Sequence, residues 1–139
     1  MIRRFDFSSA LQRMSVICKN DYDQNYKAFV KGSPEKILEL STKSSIPRDF
    51  QDILTMYTQE GYRVIALSYK DLPENLTYRN IQTIQREEVE TGLTFLGLLV
   101  MENKMKDVTK EVIETLQECD VGTIMATGDN VLTAISVAG

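Results

Sequence analysis

The chemistry this sequence can do rests on a few cationic, aromatic and hydroxyl side chains at the ends of regular segments. Lys31, in "AFVKGSPE", sits where an extended run gives way to a helix start, with Ser33 as N-cap and Pro34 at the first helical position. A cation beside open helix N–H groups presents positive potential to an anion, whereas the plainer reading is a solvated lysine. Arg63, in "GYRVIAL", follows the helix stop Gly61 and opens a new apolar run. That position suits a phosphate-binding guanidinium, and equally a solvated edge arginine. Phe7, in "FSSALQRMSV", either stacks on a flat ligand or joins the core. "MATGDN" ends an apolar run in Thr127, Gly128 and Asp129. It sets a hydroxyl and successive backbone N–H groups at the carboxyl edge of an expected parallel sheet, where open α/β sheets bind ligands. Asp129 or Asn130 serves as readily as a helix cap.

What the sequence lacks narrows the chemistry further. There is no histidine, which removes Ser-His and Cys-His nucleophile pairs and imidazole bases. Cys18 and Cys119 stand far apart with no imidazole to join them as zinc ligands, so both are expected as reduced thiols of a cytosolic compartment. Neither G-x-x-x-x-G-K-[ST] nor G-x-G-x-x-G occurs, so nucleotide binding here would not use a phosphate-cradling glycine loop. A net charge of −4 with no basic block argues against nucleic acid as a partner. The 139 residues, 42% hydrophobic and 26% charged, have the balance of a soluble globular chain, and no apolar run approaches the roughly 18 residues of a membrane span. "MIRRFDF" has no apolar signal-peptide region. "QREEVE" reads as a solvated acidic helix face.

The elements that must position these residues follow from periodicity. "RMSVICK" alternates as a half-buried strand, and "NDYDQN" turns it into "YKAFVK", giving a hairpin with a loop longer than two residues. A helix is expected from Pro34 to Leu40, and a second one where Phe50, Ile53, Leu54 and Tyr57 share a face, ending at Gly61. "YRVIALSYK" reads as a strand, "TYRNIQTIQREEVE" as a weaker helix, and "LTFLGLLVM" as a strand covered on both faces. From about residue 99 the pattern changes: a helix through Val108, Val112, Ile113 and Leu116, a buried strand "VGTIMAT", the loop "GDN" and a helix "VLTAISVA". The expected organisation is an antiparallel α+β domain over residues 1–98 and, over 99–139, the opening of a doubly wound α/β layer. The second part is too short to close its own core, as in a piece cut from a longer protein.

"FSSALQRMSV", "FVKGSPE", "GYRVIAL" and "TGDN", in this order, closely resemble the cytosolic catalytic region of P-type ATPases, pumps that pass through an aspartyl-phosphate. Within that superfamily "FSSALQRMSV" is similar to the fifth class. "MENKMK" resembles its B subgroup, associated with polyamine export from late endosomes and lysosomes, with a parent of the A subgroup, an endoplasmic reticulum transporter, as the alternative. The resemblance implies a nucleotide-binding domain over residues 1–98 and, over 99–139, the chain's return into a haloacid-dehalogenase-like phosphorylation domain. It implies that Phe7 packs on adenine, that Lys31 and Gly32 line the nucleotide pocket, and that Arg63 reaches the phosphates. Thr127, Gly128 and Asp129 would form the loop that holds the transferred phosphoryl group. The partners implied are ATP and the rest of a membrane-embedded transporter, this segment lying on the cytosolic face; Mg2+ is the implied cofactor. The family's acceptor segment Asp-Lys-Thr-Gly should precede residue 1, and its Gly-Asp-Gly-x-Asn-Asp magnesium loop should follow residue 139. The glutamate that the family carries upstream of the adenine-packing aromatic has no counterpart here. This chain alone is therefore expected to bind ATP weakly and to hydrolyse none. Two other readings stand beside this one. The same fold serves only to dock a protein partner, with no nucleotide, or the chain is a free-standing dehalogenase-type phosphatase.

Overall fold

The computed structural model describes residues 1–22, 24–102, 104–128, 131, 134 and 135. Strands β1 (Arg3–Ser8), β2 (Arg13–Lys19), β3 (Tyr26–Gly32), β4 (Arg63–Asp71) and β5 (Thr94–Met101) form one sheet in that spatial order. The pairs β1–β2, β2–β3 and β3–β4 are antiparallel. Helices α1 (Pro34–Leu40), α2 (Phe50–Gln59), α3 (Tyr78–Thr83), α4 (Arg86–Val89) and α5 (Thr109–Glu118) complete the described elements. The chain divides into two compact units, Met1–Gln51 with Val64–Leu99, and Asp52–Arg63 with Val100–Gly139.

In the first unit the two-residue period of β3 sets the core. Tyr26, Ala28, Val30 and Gly32 are buried while Phe29 and Lys31 are exposed. Ile17, Tyr26 and Ala28 pack with Leu72, Ile81 and Val89, and Val30 packs with Ile37, Ala66 and Leu93. Each fully buried aliphatic side chain contributes about 1.5–3 kcal/mol. That burial is what holds α1, a helix of seven residues and too short to persist alone. Ile37 is its buried anchor, the Ser33 side chain accepts from the Lys36 N–H, and the Ser41 hydroxyl donates back to the Ile37 carbonyl at 2.6 Å. Phe50, at the start of α2, meets the Phe95 ring edge to face at 5.3 Å between centroids.

The antiparallel α+β unit matches the sequence reading of β2, β3, β4, β5, α1 and α2, and Gly61 stops α2 with φ 84°. Four local expectations need correction. β1 was not foreseen, because an irregularity between Phe5 and Ser8 breaks its alternation. The single helix expected over 77–90 is two, since Ile84 and Gln85 are extended. The cause is tertiary: the Arg3 guanidinium donates to the Ile81 and Ile84 carbonyls at 2.8 and 2.6 Å, terminating α3, and capping boxes start each helix afresh. β5 is last in the sheet order and leaves Leu96 and Leu99 exposed rather than covered on both faces.

The fourth correction concerns the second unit. Its helix forms as α5, but residues 121–128 carry no strand, and Ile124 is 96% exposed. A parallel strand exists only by sharing its backbone hydrogen bonds with an adjacent strand, and residues 121–128 enter no strand pairing among the described residues. The expected α/β layer is therefore not formed among the described residues, and "VLTAISVA" lies largely outside them.

Gly32 has a steric explanation. A Cβ added there would stand 2.5 Å from the Gln12 carbonyl oxygen and 2.7 Å from the Arg13 Cβ. That carbonyl is fixed by the Ser33 N–H at 3.0 Å, and Gln12 is already held at φ 52°. Gly32→Ala should destabilise the chain by roughly 1–3 kcal/mol, read as a lower urea midpoint at unchanged slope. An unaltered midpoint would show that the β1–β2 turn yields without strain.

Candidate functional site

The face of the sheet turned away from the core carries the first candidate residues. Met14, Lys31 and Leu67 stand in one cross-strand row, and Val16, Phe29 and Tyr69 in the next. Both rows alternate with the buried Ser15, Ile17, Ala28, Val30, Ala66 and Ser68, so they point the other way. Over them lies a cavity of about 340 Å³ whose lining includes Met14, Val16, Phe29, Lys31, Leu67 and Leu96. Apolar walls with one cation suit a flat aromatic ligand carrying negative charge.

Lys31 is the cation in that wall. It is exposed, and its side chain makes no hydrogen bond or ion pair among the described residues. Lys27, four residues earlier on the same strand face, differs: its Nζ pairs with Asp71 at 3.0 Å and lies 4.9 Å from the Tyr69 ring centroid. The Lys31 ammonium is thus uncommitted next to an apolar hollow.

Phe7 reaches the same face through a β-bulge. Phe5 pairs with Ser15 and Ser8 with Arg13, so Asp6 and Phe7 together oppose Met14. Strict alternation would turn Phe7 to the core side along with Phe5; the extra residue turns it out, and Phe7 is 64% exposed. Phe7 is not part of the cavity lining; it stands across from Met14, which is. Phe7 and Lys31 occupy strands two apart, about 10 Å at ordinary strand spacing.

Behind the bulge lies a buried ionic cluster. Glu90 is fully buried, and its carboxylate accepts from Arg13 Nε at 2.5 Å, Ser15 Oγ at 2.7 Å, and Arg86 Nε at 2.9 and 3.0 Å. Arg86 donates onward to the Asp6 carbonyl at 3.1 Å and the Arg13 carbonyl at 2.9 Å. Burial pushes the Glu90 carboxyl up, but hydrogen bonds from Arg86, Ser15 and Arg13 outweigh it and hold the group below the usual carboxylate range. The reading of "QREEVE" as a solvated face is corrected accordingly. Glu87 and Glu88 are exposed, while Glu90 turns inward because two arginines and a hydroxyl await it there.

The remaining sequence candidates fall elsewhere. Gly32 is buried on the core side, next to Lys31 in the chain but not on its face. Arg63 is the exposed first residue of β4 and belongs to the second unit, as do Thr127 and Gly128, which lie in a run without regular structure. Asp129 lies outside the described residues. Both cysteines are free thiols, Cys18 half-buried and Cys119 exposed. Sequence reasoning missed the cavity walls and the Glu90 cluster. The signal for the walls was the two-residue period that places Met14 and Val16 opposite Ser15 and Ile17; for the cluster it was the i, i+4 spacing of Arg86 and Glu90.

Comparison with known proteins adds the following. Residues 1–108 match the family described as P-type ATPase, cytoplasmic domain N. The chain is 50% identical over 137 residues to the vacuolar cation-transporting ATPase YPK9 of Saccharomyces cerevisiae, covering 99% of this chain and 9% of that protein. It is 44% identical over 138 residues to polyamine-transporting ATPase 13A3 of Homo sapiens, covering 99% and 11%. To polyamine-transporting ATPase 13A2 of Mus musculus it is 46% identical over 135 residues, covering 97% and 12%. The chain thus spans about a tenth of the length of these relatives.

The Glu90 cluster makes stability depend on pH with a definite sign. A carboxylate whose pKa is lowered by folding contributes fully above its unfolded value of about 4.3, and that contribution is lost as pH falls toward the lower folded value. Glu90→Gln should cost roughly 3 kcal/mol at neutral pH, because two arginines lose their counter-charge. Below the ordinary glutamate pKa the native chain should lose stability more steeply than the variant. Parallel acid limbs in urea titrations would contradict the assignment.

Proposed function

The chain belongs to the P-type ATPases, and on that premise we propose that it holds ATP on the outer face of its sheet, with the adenine between Phe7 and the apolar cavity walls. One observation carries the reading: Phe7 and Lys31 are displayed on the same sheet face, on either side of Met14, beside a hollow of about 340 Å³. Phe7 would stack on the base, Met14, Val16 and Leu67 would pack its other surfaces, and Lys31 would supply a charge-assisted contact to the nucleotide. Guanine would leave its extra polar edge groups facing apolar side chains, so adenine should be preferred.

Residues 1–98 are proposed as most of the nucleotide-binding domain and 99–139 as the return into the phosphorylation domain. Arg63 is proposed as a phosphate contact, and Thr127, Gly128 and Asp129 as the loop that holds the transferred phosphoryl group. The whole protein, in this reading, couples ATP through an aspartyl-phosphate to the movement of polyamines or other organic cations across an internal membrane of the endosomal or lysosomal kind. The names of the relatives, vacuolar cation-transporting and polyamine-transporting ATPases, support that substrate class. No helix among the described residues is long and apolar enough to cross a membrane. Transport selectivity is proposed to rest in membrane helices of the whole protein, outside these residues.

Magnesium does not fit what is described here. No group of three His, Cys, Asp or Glu side chains that could hold a metal occurs among the described residues, so no step is routed through it. The sequence contains neither Asp-Lys-Thr-Gly nor Gly-Asp-Gly-x-Asn-Asp. Positioning the nucleotide is the task left to these side chains.

Titration of the isotope-labelled chain with ATP and GTP, followed through amide shifts, tests the reading. Shifts should cluster around Phe7 and Lys31 and be larger for ATP. Phe7→Ala and Lys31→Ala should each weaken ATP roughly tenfold, the scale of one lost base stack or charged contact. Saturable binding indifferent to both substitutions would remove the proposed site. Phosphate release above a buffer blank, abolished by Lys31→Ala, would overturn the view that this chain binds without hydrolysing.

A further inference from the structure

We propose that Glu90 and Arg86 are positioning residues for the nucleotide base, acting through the β1 bulge that presents Phe7. The inference rests on the nucleotide reading given above. A bulge interrupts the backbone ladder, so the carbonyls around it need partners from elsewhere. The Arg86 guanidinium supplies them on both strands at the place where the register shifts. Nη1 donates to Asp6, the bulged residue next to Phe7, and Nη2 donates to Arg13, the partner of Ser8. Nε points back to Glu90, whose second tether is Arg13 itself. The Arg86 guanidinium carbon also lies 6.0 Å from the ring centroid of Phe5, and Arg3 covers that ring at 4.4 Å, so the last core residue before the bulge is held as well.

This geometry fixes three things at once. The planar fork of Arg86 defines the distance between the Asp6 and Arg13 carbonyls, and a lysine has no such fork. Glu90 orients the fork and neutralises it, since an unpaired guanidinium would not stay in a part-buried site. Phe7, one residue past Asp6, is therefore aimed by a cluster on the opposite side of the sheet, which touches no part of the proposed ligand. Preorganised in this way, the ring binds a base without the cost of ordering its own strand.

The test uses the full chain, with Arg86→Lys as the milder variant and Glu90→Gln as the stronger one. Adenosine and tripolyphosphate serve as separate probes for base and phosphate. Arg86→Lys should weaken adenosine severalfold and leave tripolyphosphate unchanged. Added to Phe7→Ala it should weaken adenosine no further, because both remove the same stacking contact. Additive losses, or equal losses for both probes, would mean a general loosening of the fold and would overturn the inference. A readout without nucleotide decides the matter independently. In Arg86→Lys the amide signals of Asp6 and Phe7 should shift and lose order while those of Val30 and Ser68 stay in place. Unchanged Asp6 and Phe7 signals would overturn the inference even if ATP binds as proposed. Altered Asp6 and Phe7 signals, in a chain whose adenosine affinity ignores Phe7→Ala, would uphold the bulge tether and sink the nucleotide reading alone.

Discussion

The structure of the first unit depends on a carboxylate with no access to water. Glu90 sits among Arg13, Arg86 and Ser15, and each arginine is spent on more than the ion pair. A buried pair of this kind is weak evidence of net stability, since desolvation can cancel the attraction, and apolar replacements can do as well. What an apolar cluster could not do is hydrogen-bond the backbone of β1 and β2 where their ladder is irregular. Arg86 does so at Asp6 and Arg13, and Glu90 allows it to remain there. Arg3 plays a comparable part at the other end of β1, binding the carbonyls of Ile81 and Ile84 that α3 leaves open. The irregular places in the fold are thus held by guanidinium groups, and the regular ones by aliphatic packing.

That division explains what the amino-acid pattern discloses. β2, β3, β4, α1, α2 and α5 are legible because a period of two or of 3.6 decides them locally, with Ser33, Pro34 and Gly61 marking ends. β1 is not legible, because its bulge puts Phe5 and Phe7 on opposite faces although they are two residues apart. The break between α3 and α4 is invisible for a similar reason: what ends α3 is Arg3, some eighty residues away in the chain. Residues 121–127 fail in the opposite direction. Their composition favours a strand, yet a strand is a relation between segments, and an apolar run that joins no sheet remains irregular and exposed.

The candidate site was half legible. Lys31 and Phe7 stand out as types, but their shared face follows from the register Met14–Lys31 and from the bulge opposite Met14, neither of which a linear reading supplies. The neighbouring pair Lys31 and Gly32 shows how linear reading can merge separate causes. In a strand, adjacent residues face opposite ways, so these two cannot line one pocket with their side chains. Lys31 faces the hollow; Gly32 faces the core and is small because the backbone of Gln12 and Arg13 passes within contact distance.

The same alternation governs the whole of β3 and, through it, any ligand the outer face takes. Ala28, Val30 and Gly32 pack inward while Lys27, Phe29 and Lys31 face outward, so the strand builds core and site with alternate residues. A slip of one residue would exchange the two sets and destroy both, which makes burial itself the guarantor of the site's register. β1 is the one strand in this row whose register is not secured by burial alone, since two of its residues face a single partner at Met14. There the aim of Phe7 depends on directional bonds rather than on packing. That is the physical reason a charged group is worth its desolvation at Glu90, where a leucine would have filled the space but could not have oriented Arg86.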